Sequence, residues 1–471
     1  MTLPSRISLL SLCLGLAACS LPPVPSGGIA APSAWQGETL QPSASLPSAQ
    51  WWQAFDSAEL DHLVERAQSN AHDLAAATAR VRQARARAVI AGAPLLPELR
   101  FELDGSRQRL LHGEGYDQLD VSKYERTSTS FGMQLVASYE IDFWGGLRAA
   151  RSSALHSLDA SRFDRQTVEL TLVSSVANSY LQGLALEEQL RIARLNLRNA
   201  RDVLMLVETR QRAGSATRLE LAQQRSLVAT QERQVPLLEQ QWQDNRITLA
   251  TLLGDPVQAL PTARETLEAV NWPHIGSGVP SELLARRPDI AAAEARLAAA
   301  SANVQVARAA LLPKVTLGAN LGTGARTLAE VFDSAYYTLT AGLVVPIFNN
   351  GRLRAAQQLA EAEQDELLES YRSSILAGFA DVEKALNAIH GVEQQRQWQD
   401  QEVEQARLAF DLAQRRYAAG AETLLSVLQT QRTLYLAQDQ QAQLRLARLQ
   451  GSVALYKALG GGWQVAKADN G

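Results

Sequence analysis

Cysteine is nearly absent from this chain. Two occur in 471 residues, Cys13 and Cys19, so no disulfide framework is available. Nor does any stretch reach 18 consecutive apolar residues, which excludes a transmembrane helix. Charge of one sign is not in excess: the formal net charge is −4, and no basic face for nucleic acid is implied. The six histidines (His62, His72, His112, His156, His274 and His390) are scattered, without the spacing of metal ligands. A glycine-rich phosphate loop and a nucleophile elbow are both missing. No catalytic residue, metal or cofactor is therefore expected, and a non-enzymatic role follows. Proline is absent from Arg148 to Arg212, which leaves room for one helix of roughly 100 Å at 1.5 Å per residue.

What is present is a long helical hairpin that occurs twice. One copy runs from about Leu147 to Leu253 and turns at Gly214; the other runs from about Leu353 to Leu459 and turns at Gly420. Gly214 pairs with Gly420, Thr217 with Thr423, Leu219 with Leu425 and Gly254 with Gly460, each pair 206 positions apart. A constant offset over such a length means duplication of a whole unit. Leu186, Leu190, Ala193, Leu197, Ala200, Leu204 and Val207 alternate steps of four and three. Val403, Ala406, Phe410, Ala413 and Tyr417 repeat the pattern. This is the seam of helices packed side by side.

The N-terminus carries Arg6, an apolar run from Ile7 to Leu16, then Leu16-Ala17-Ala18-Cys19. It reads as a secretory signal ending in a lipobox. Cleavage after Ala18 would leave Cys19 first and acylated, so the only lipid or cofactor expected is covalent. Ser20 after it implies sorting to the outer membrane. The expected divisions are a signal over 1–18 and an acylated tether over 19–50 with no packed structure of its own. A first repeat follows over 51–254, a linking segment over 255–279, a second repeat over 280–460 and a tail over 461–471. Trp51-Trp52 and Phe55 open the folded part. Each repeat begins with a short helix, about Ala58 to Val89 in the first and after Pro280 in the second.

After Pro97 the apolar period changes to two. Leu99, Phe101 and Leu103 alternate with charged residues, as do Phe131 to Phe143, Val315 to Leu321 and Tyr337 to Val345 with polar ones. Alternation over about ten residues fits transmembrane β-barrel strands, apolar toward lipid and polar toward a lumen. The first half is ten residues longer here, which places a longer loop within Gly105 to Ser130. Four strands are too few to close a barrel across a membrane. Several copies must contribute, and a homotrimer would supply twelve strands. The fold class is thus mixed α and transmembrane β: a shared barrel continuous with a long α-helical barrel, built by internal duplication. A lipid-anchored periplasmic coiled-coil adaptor without a pore is the competing reading; it predicts no amphipathic strands.

Tyr139-Glu140-Ile141-Asp142-Phe143-Trp144-Gly145, Arg287-Pro288-Asp289-Ile290, Leu312-Pro313, Pro346-Ile347-Phe348 and Tyr417-Ala418-Ala419-Gly420 carry a further signal. With the duplication, they make the chain resemble the TolC-like outer-membrane efflux family, most of all its OprM-type lipoprotein branch. The resemblance covers essentially everything after Cys19. It implies a trimeric tunnel joined to a periplasmic adaptor and an inner-membrane pump of the RND or ABC type. Such a tunnel passively conducts small molecules, drugs or siderophores among them.

The resemblance also locates a gate at the helix ends near Gly214 and Gly420. The family's acidic bore positions fall on Ser426 and Gln429, so those acidic rings are absent. Leu425 falls on a hydrophobic constriction of the OprM-type branch. A ring of three leucines gates by dewetting; the competing reading puts Leu425 in the helix seam. Tyr417 and Glu220 match a tyrosine–carboxylate link between hairpins. Glu422 replaces the family's arginine and has Arg218 or Arg416 as candidate partners.

Overall fold

The computed structural model describes residues 25, 27–36, 48–109, 111, 127–260, 265–273, 275–276 and 278–463. The chain divides into two compact units. One comprises Met1–Gly27, Val81–Ser161 and Ala293–Tyr371; the other comprises Gly28–Arg80, Arg162–Ala292 and Arg372–Gly471. The elements along the chain are α1 (Ala58–Asn70), α2 (His72–Gly92), β1 (Glu98–Arg109), β2 (Thr127–Ile141), α3 (Gly146–Arg212) and α4 (Arg218–Leu253). They continue with α5 (Pro280–Leu283), α6 (Pro288–Ala309), β3 (Lys314–Ala325), β4 (Ala335–Val344), α7 (Arg352–Ala418) and α8 (Leu424–Ala458).

The first unit holds one antiparallel sheet in the order β1-β2-β3-β4. Register turns the alternation of the sequence into two faces. One row runs Phe101–Leu135–Leu321–Tyr337 and the next Leu99–Ala137–Ala319–Leu339, apolar from edge to edge. The opposite face is polar and stitched by side chains. Asn320 Nδ2 donates to Gln134 Oε1 at 2.7 Å, and Gln134 Nε2 donates to Glu102 Oε2 at 2.8 Å. Leu339 and Tyr337 are 74% and 76% exposed in the protomer. Apolar surface on that scale marks a face that meets lipid or protein rather than water. The longer connection of the first half falls within the expected bounds of Gly105 to Ser130. Strand pairing persists to Arg109 and resumes at Thr127, with Ser106 and Ser130 hydroxyls 2.9 Å apart.

Duplication is visible in the lengths: α3 and α7 each have 67 residues, and their return arms α4 and α8 have 36 and 35. In the second unit the two return arms close on short-helix ends in the same way. Gly254 (φ 71°) sits so near Asn70 that an added Cβ would lie 2.7 Å from its carbonyl oxygen. Gly460 (φ 86°) repeats this against the Arg286 carbonyl, at 2.0 Å. Only glycine allows both the left-handed backbone and that approach.

The opening helix is two helices, not the single one expected over Ala58 to Val89. Ala71 is extended (ψ 123°) and separates α1 from α2. Its counterpart, Arg287, precedes Pro288, which disfavours helical backbone in the preceding residue. Ser57 caps α1, accepting from Leu60 N–H at 3.2 Å. Trp51, Trp52 and Phe55 are buried as anticipated, Trp51 stacking on Tyr456 with ring centroids 5.0 Å apart. The tether is not wholly unpacked. Trp35 donates to the Gly278 carbonyl at 3.0 Å and meets Phe379 edge-on at 6.2 Å. The Gln36 N–H reaches Glu383 at 2.7 Å. Trp463 of the tail packs edge-on against Phe163. The signal and Cys19 lie outside the described residues.

Candidate functional site: the tip of the paired hairpins

Both long arms end alike. Gly214 and Gly420 are left-handed at φ 77°. Their N–H groups bond back to Gln211 and Tyr417, and the next residues, Ser215 and Ala421, bond to Arg210 and Arg416. These bonds satisfy carbonyls that the helix ends would leave orphaned. Each return arm then starts on a threonine cap, Thr217 accepting from Glu220 N–H and Thr423 from Ser426 N–H.

The tyrosine–carboxylate link does not form within the protomer. Glu220 turns back on its own helix start: its Oε2 accepts from Thr217 N–H at 2.6 Å and from the Thr217 hydroxyl at 3.0 Å. This is a reciprocal capping box. The pattern Thr217-x-x-Glu220 was the sequence signal for it. The Tyr417 hydroxyl, buried, has no hydrogen-bond partner among the described residues. Burial, then the nearby Glu220 charge, pushes the phenol above its ordinary value.

Arg210, which sequence reasoning did not single out, makes the contact instead. Its Nη1 donates to the Tyr417 carbonyl at 2.5 Å, and its guanidinium carbon lies 4.5 Å over the Tyr417 ring. Tyr417 is 2% exposed and sits in a core shared by both hairpins, with Val203, Val207, Phe410, Leu424 and Val427. Farther up, Tyr435 donates to the Asn196 carbonyl at 2.8 Å and Gln189 to Asp439 at 2.8 Å.

Of the two candidate partners, Glu422 takes Arg416, at 3.6 Å, rather than Arg218. The Thr423 N–H and then the Ser426 hydroxyl, at 2.9 Å, hold the Glu422 carboxyl below its ordinary value. Ser426 is thus a local cap partner. Leu425 does not belong to the seam of its own protomer. The flanking Leu424 and Val427 do, whereas Leu425 is 57% exposed. It begins an exposed stripe with Gln429, Arg432 and Leu436 along α8. The stripe borders a groove of about 990 Å³ whose other wall is α4, through Gln223, Ser226 and Thr230.

Comparison with known proteins agrees with this architecture. The family model described as outer membrane efflux protein matches residues 63–255 and 279–461. The chain is 73% identical over 465 residues, 99% of both chains, to the pyoverdine export outer membrane protein OpmQ of Pseudomonas putida. Against OpmQ of Pseudomonas aeruginosa it is 61% identical, covering 98% of this chain and 97% of that one. Among solved structures it is similar to the outer-membrane channel OprN, with a TM-score of 0.87 at 28% identity, over 95% of this chain and 100% of that chain. Duplicated hairpins, a four-stranded sheet with one apolar face and a match over both repeats converge: the chain belongs to the outer membrane efflux protein family.

Proposed function

We propose that this chain is the outer-membrane exit duct for a pyoverdine-type siderophore, receiving its cargo from a dedicated periplasmic adaptor and inner-membrane pump. As an outer-membrane efflux channel it forms a trimer, with twelve strands in the membrane and the helices extending into the periplasm. The observation that carries the cargo assignment is 73% identity along the whole length of a pyoverdine export protein. We take the exposed stripe of α8 to face the bore, where its residues down to Leu436 suit an anionic cargo, with Asp439 the next acid along the same groove. From Leu425 to Leu436 the stripe presents Gln429 and Arg432 and no carboxylate. Three copies of Leu425 at the narrow end act as a hydrophobic constriction that closes by dewetting. Acylation of Cys19 anchors each protomer beside the barrel.

The test is complementation. A siderophore-producing strain lacking its own export ducts should regain extracellular pyoverdine when given this chain, and lose it again with Arg432→Glu. If the siderophore stays in the periplasm while an unrelated drug is exported, the duct serves a different pump.

A further inference from the structure

The apolar face of the sheet, from the row of Met133 to the row of Ile141, holds no charged residue. The alternate positions of the same strands hold six: Glu98, Arg100, Glu102, Asp104, Glu140 and Lys314. A charge facing hydrocarbon is costly, and a barrel strand turns its polar side chains to the lumen. Further copies extend the sheet at its β1 and β4 edges instead of stacking on a face. These six side chains therefore line the lumen.

Their charges do not balance. Glu140 is answered by Lys314 at 3.4 Å. On β1, Glu98, Glu102 and Asp104 share one cation, Arg100, whose Nε lies 3.9 Å from Glu98 and 3.8 Å from Glu102. The remainder is −2 per protomer, or −6 for three copies. The strand that closes on β1 from the next copy brings no relief, because β4 (Ala335–Val344) contains no charged residue. The carboxylates are also set into the wall. Gln134 donates to Glu102 at 2.8 Å and accepts from Asn320 at 2.7 Å, an amide chain running from β3 through β2 to β1. Asp104 lies flat along the sheet: a Cβ on Gly132 would stand 2.8 Å from its Oδ1. The Tyr336 ring lies over Gly322 in the same way, also at 2.8 Å. Side chains that lie along the wall leave the space between them open.

We infer that β1 makes the barrel lumen a cation-selective sleeve, in which Glu98, Glu102 and Asp104 set the sign and Arg100 opposes them. Low-dielectric walls lined by one sign of charge focus the field and concentrate counter-ions. Selection by charge thus sits in the membrane-spanning strands, whereas the tip positions Ser426 and Gln429 carry no charge. Small cations gather along β1. An anionic cargo meets three repelling carboxylates and one arginine per protomer, so the wall releases it and does not store it.

The test reads the field with a thiol. Thr338→Cys puts a sulfur in the row of Arg100 and Asn320 on the uncharged strand β4. The full-length trimer carrying it is treated in detergent with a trimethylammonium-ethyl or a sulfonato-ethyl methanethiosulfonate. Each rate is divided by that of the same reagent with a free thiol, and the chain without the added cysteine sets the background. The barrel opens to the outside, so a closed tip does not limit access. At about 10 mM salt, where screening takes about 30 Å, the cationic reagent should react at least about tenfold faster. The ratio should approach one at about 1 M salt, where screening takes about 3 Å. Glu102→Gln removes one of the two net charges and should halve the logarithm of the ratio, to about threefold. Glu98→Gln, Glu102→Gln and Asp104→Asn together leave Arg100 alone on β1 and should bring the ratio below one. Arg100→Gln should raise it, and reads the same charges if the triple variant fails to assemble. Leu339→Cys, on the lipid face, should react far more slowly with both reagents. A wild-type ratio near one at low salt overturns the proposal. So does a triple variant that keeps the wild-type ratio, an Arg100→Gln variant that does not raise it, or a Leu339→Cys that reacts faster than Thr338→Cys. The result does not depend on cargo: a channel with the expected ratio that fails to export pyoverdine would refute only the export assignment.

Discussion

Arg210 of the first hairpin clasps the last turn of the second by donating to the Tyr417 carbonyl at 2.5 Å while lying 4.5 Å over its ring. The contact uses the tyrosine's backbone and π-face, not its hydroxyl. Such a cation–π contact contributes about 0.5–2 kcal/mol. Arg210→Ala should therefore raise single-channel conductance in planar bilayers, and Tyr417→Phe should leave it near wild type. The reverse ranking would restore the phenol to the gate.

Acid should loosen the second unit through Asp289. Burial opposes its charge, but bonds from Arg287 at 3.0 and 2.7 Å outweigh burial and lower its pKa below 3.8. The unfolded chain then binds the extra proton first, so the contribution is present above the unfolded value and lost as pH falls below it. Thermal unfolding from pH 6 down to pH 3 should show the wild-type advantage over Asp289→Asn shrinking below about pH 4. Arg287 also holds Asp381 at 2.9 Å and the buried Ala458 carbonyl at 3.3 Å, and Arg287→Met should cost about 1–3 kcal/mol because that carbonyl loses its donor and two partly exposed carboxylates lose their counter-charge. An advantage independent of pH would remove Asp289 from the account.

The turn and closing glycines should respond differently to alanine. At Gly214 an added Cβ meets nothing within 4 Å, so the cost is the left-handed backbone alone, roughly 1–2 kcal/mol. At Gly460 the Cβ would strike the Arg286 carbonyl at 2.0 Å. Gly214→Ala is expected to yield folded trimer, and Gly460→Ala little or none, by heat-resistant trimer on gels. Equal yields would mean that the Gly460 turn can shift.

Adjacent positions on β4 should separate the faces of the sheet. Leu339 lies in the apolar row with Leu99, and Thr338 in the polar row with Asn320 and Arg100. Leu339→Arg should destabilise membrane assembly by about 2–4 kcal/mol, whereas Thr338→Arg should assemble and shift ion selectivity. Assembly yield and reversal potential read the two effects. Failure of both variants would make the polar face a packed one.

The hairpins and strands were legible because each rests on periodicity that runs for many residues. The break at Ala71 was not, since no proline or glycine marks it and its partner in the second repeat is what reveals it. The tip misled for a different reason. Glu220 has two possible partners, one in its own first turn and one across a hairpin; the local one needs no tertiary alignment, and it prevails. Arg210 had no sequence signal beyond its charge. Its role follows from the two hairpins ending side by side, a relation no single stretch contains.

The equal 67-residue arms carry a consequence for how this duct can change length. Arg210 and Tyr417 meet only because both arms run the same distance before they turn. A heptad inserted in one arm would carry its tip about 10 Å past the other, and the glycine ending its return arm would miss the short-helix carbonyl it closes on. Length is therefore inherited as a matched set of four arms. The two arms act as each other's ruler, and a duct of different reach has to be recut in both copies at once.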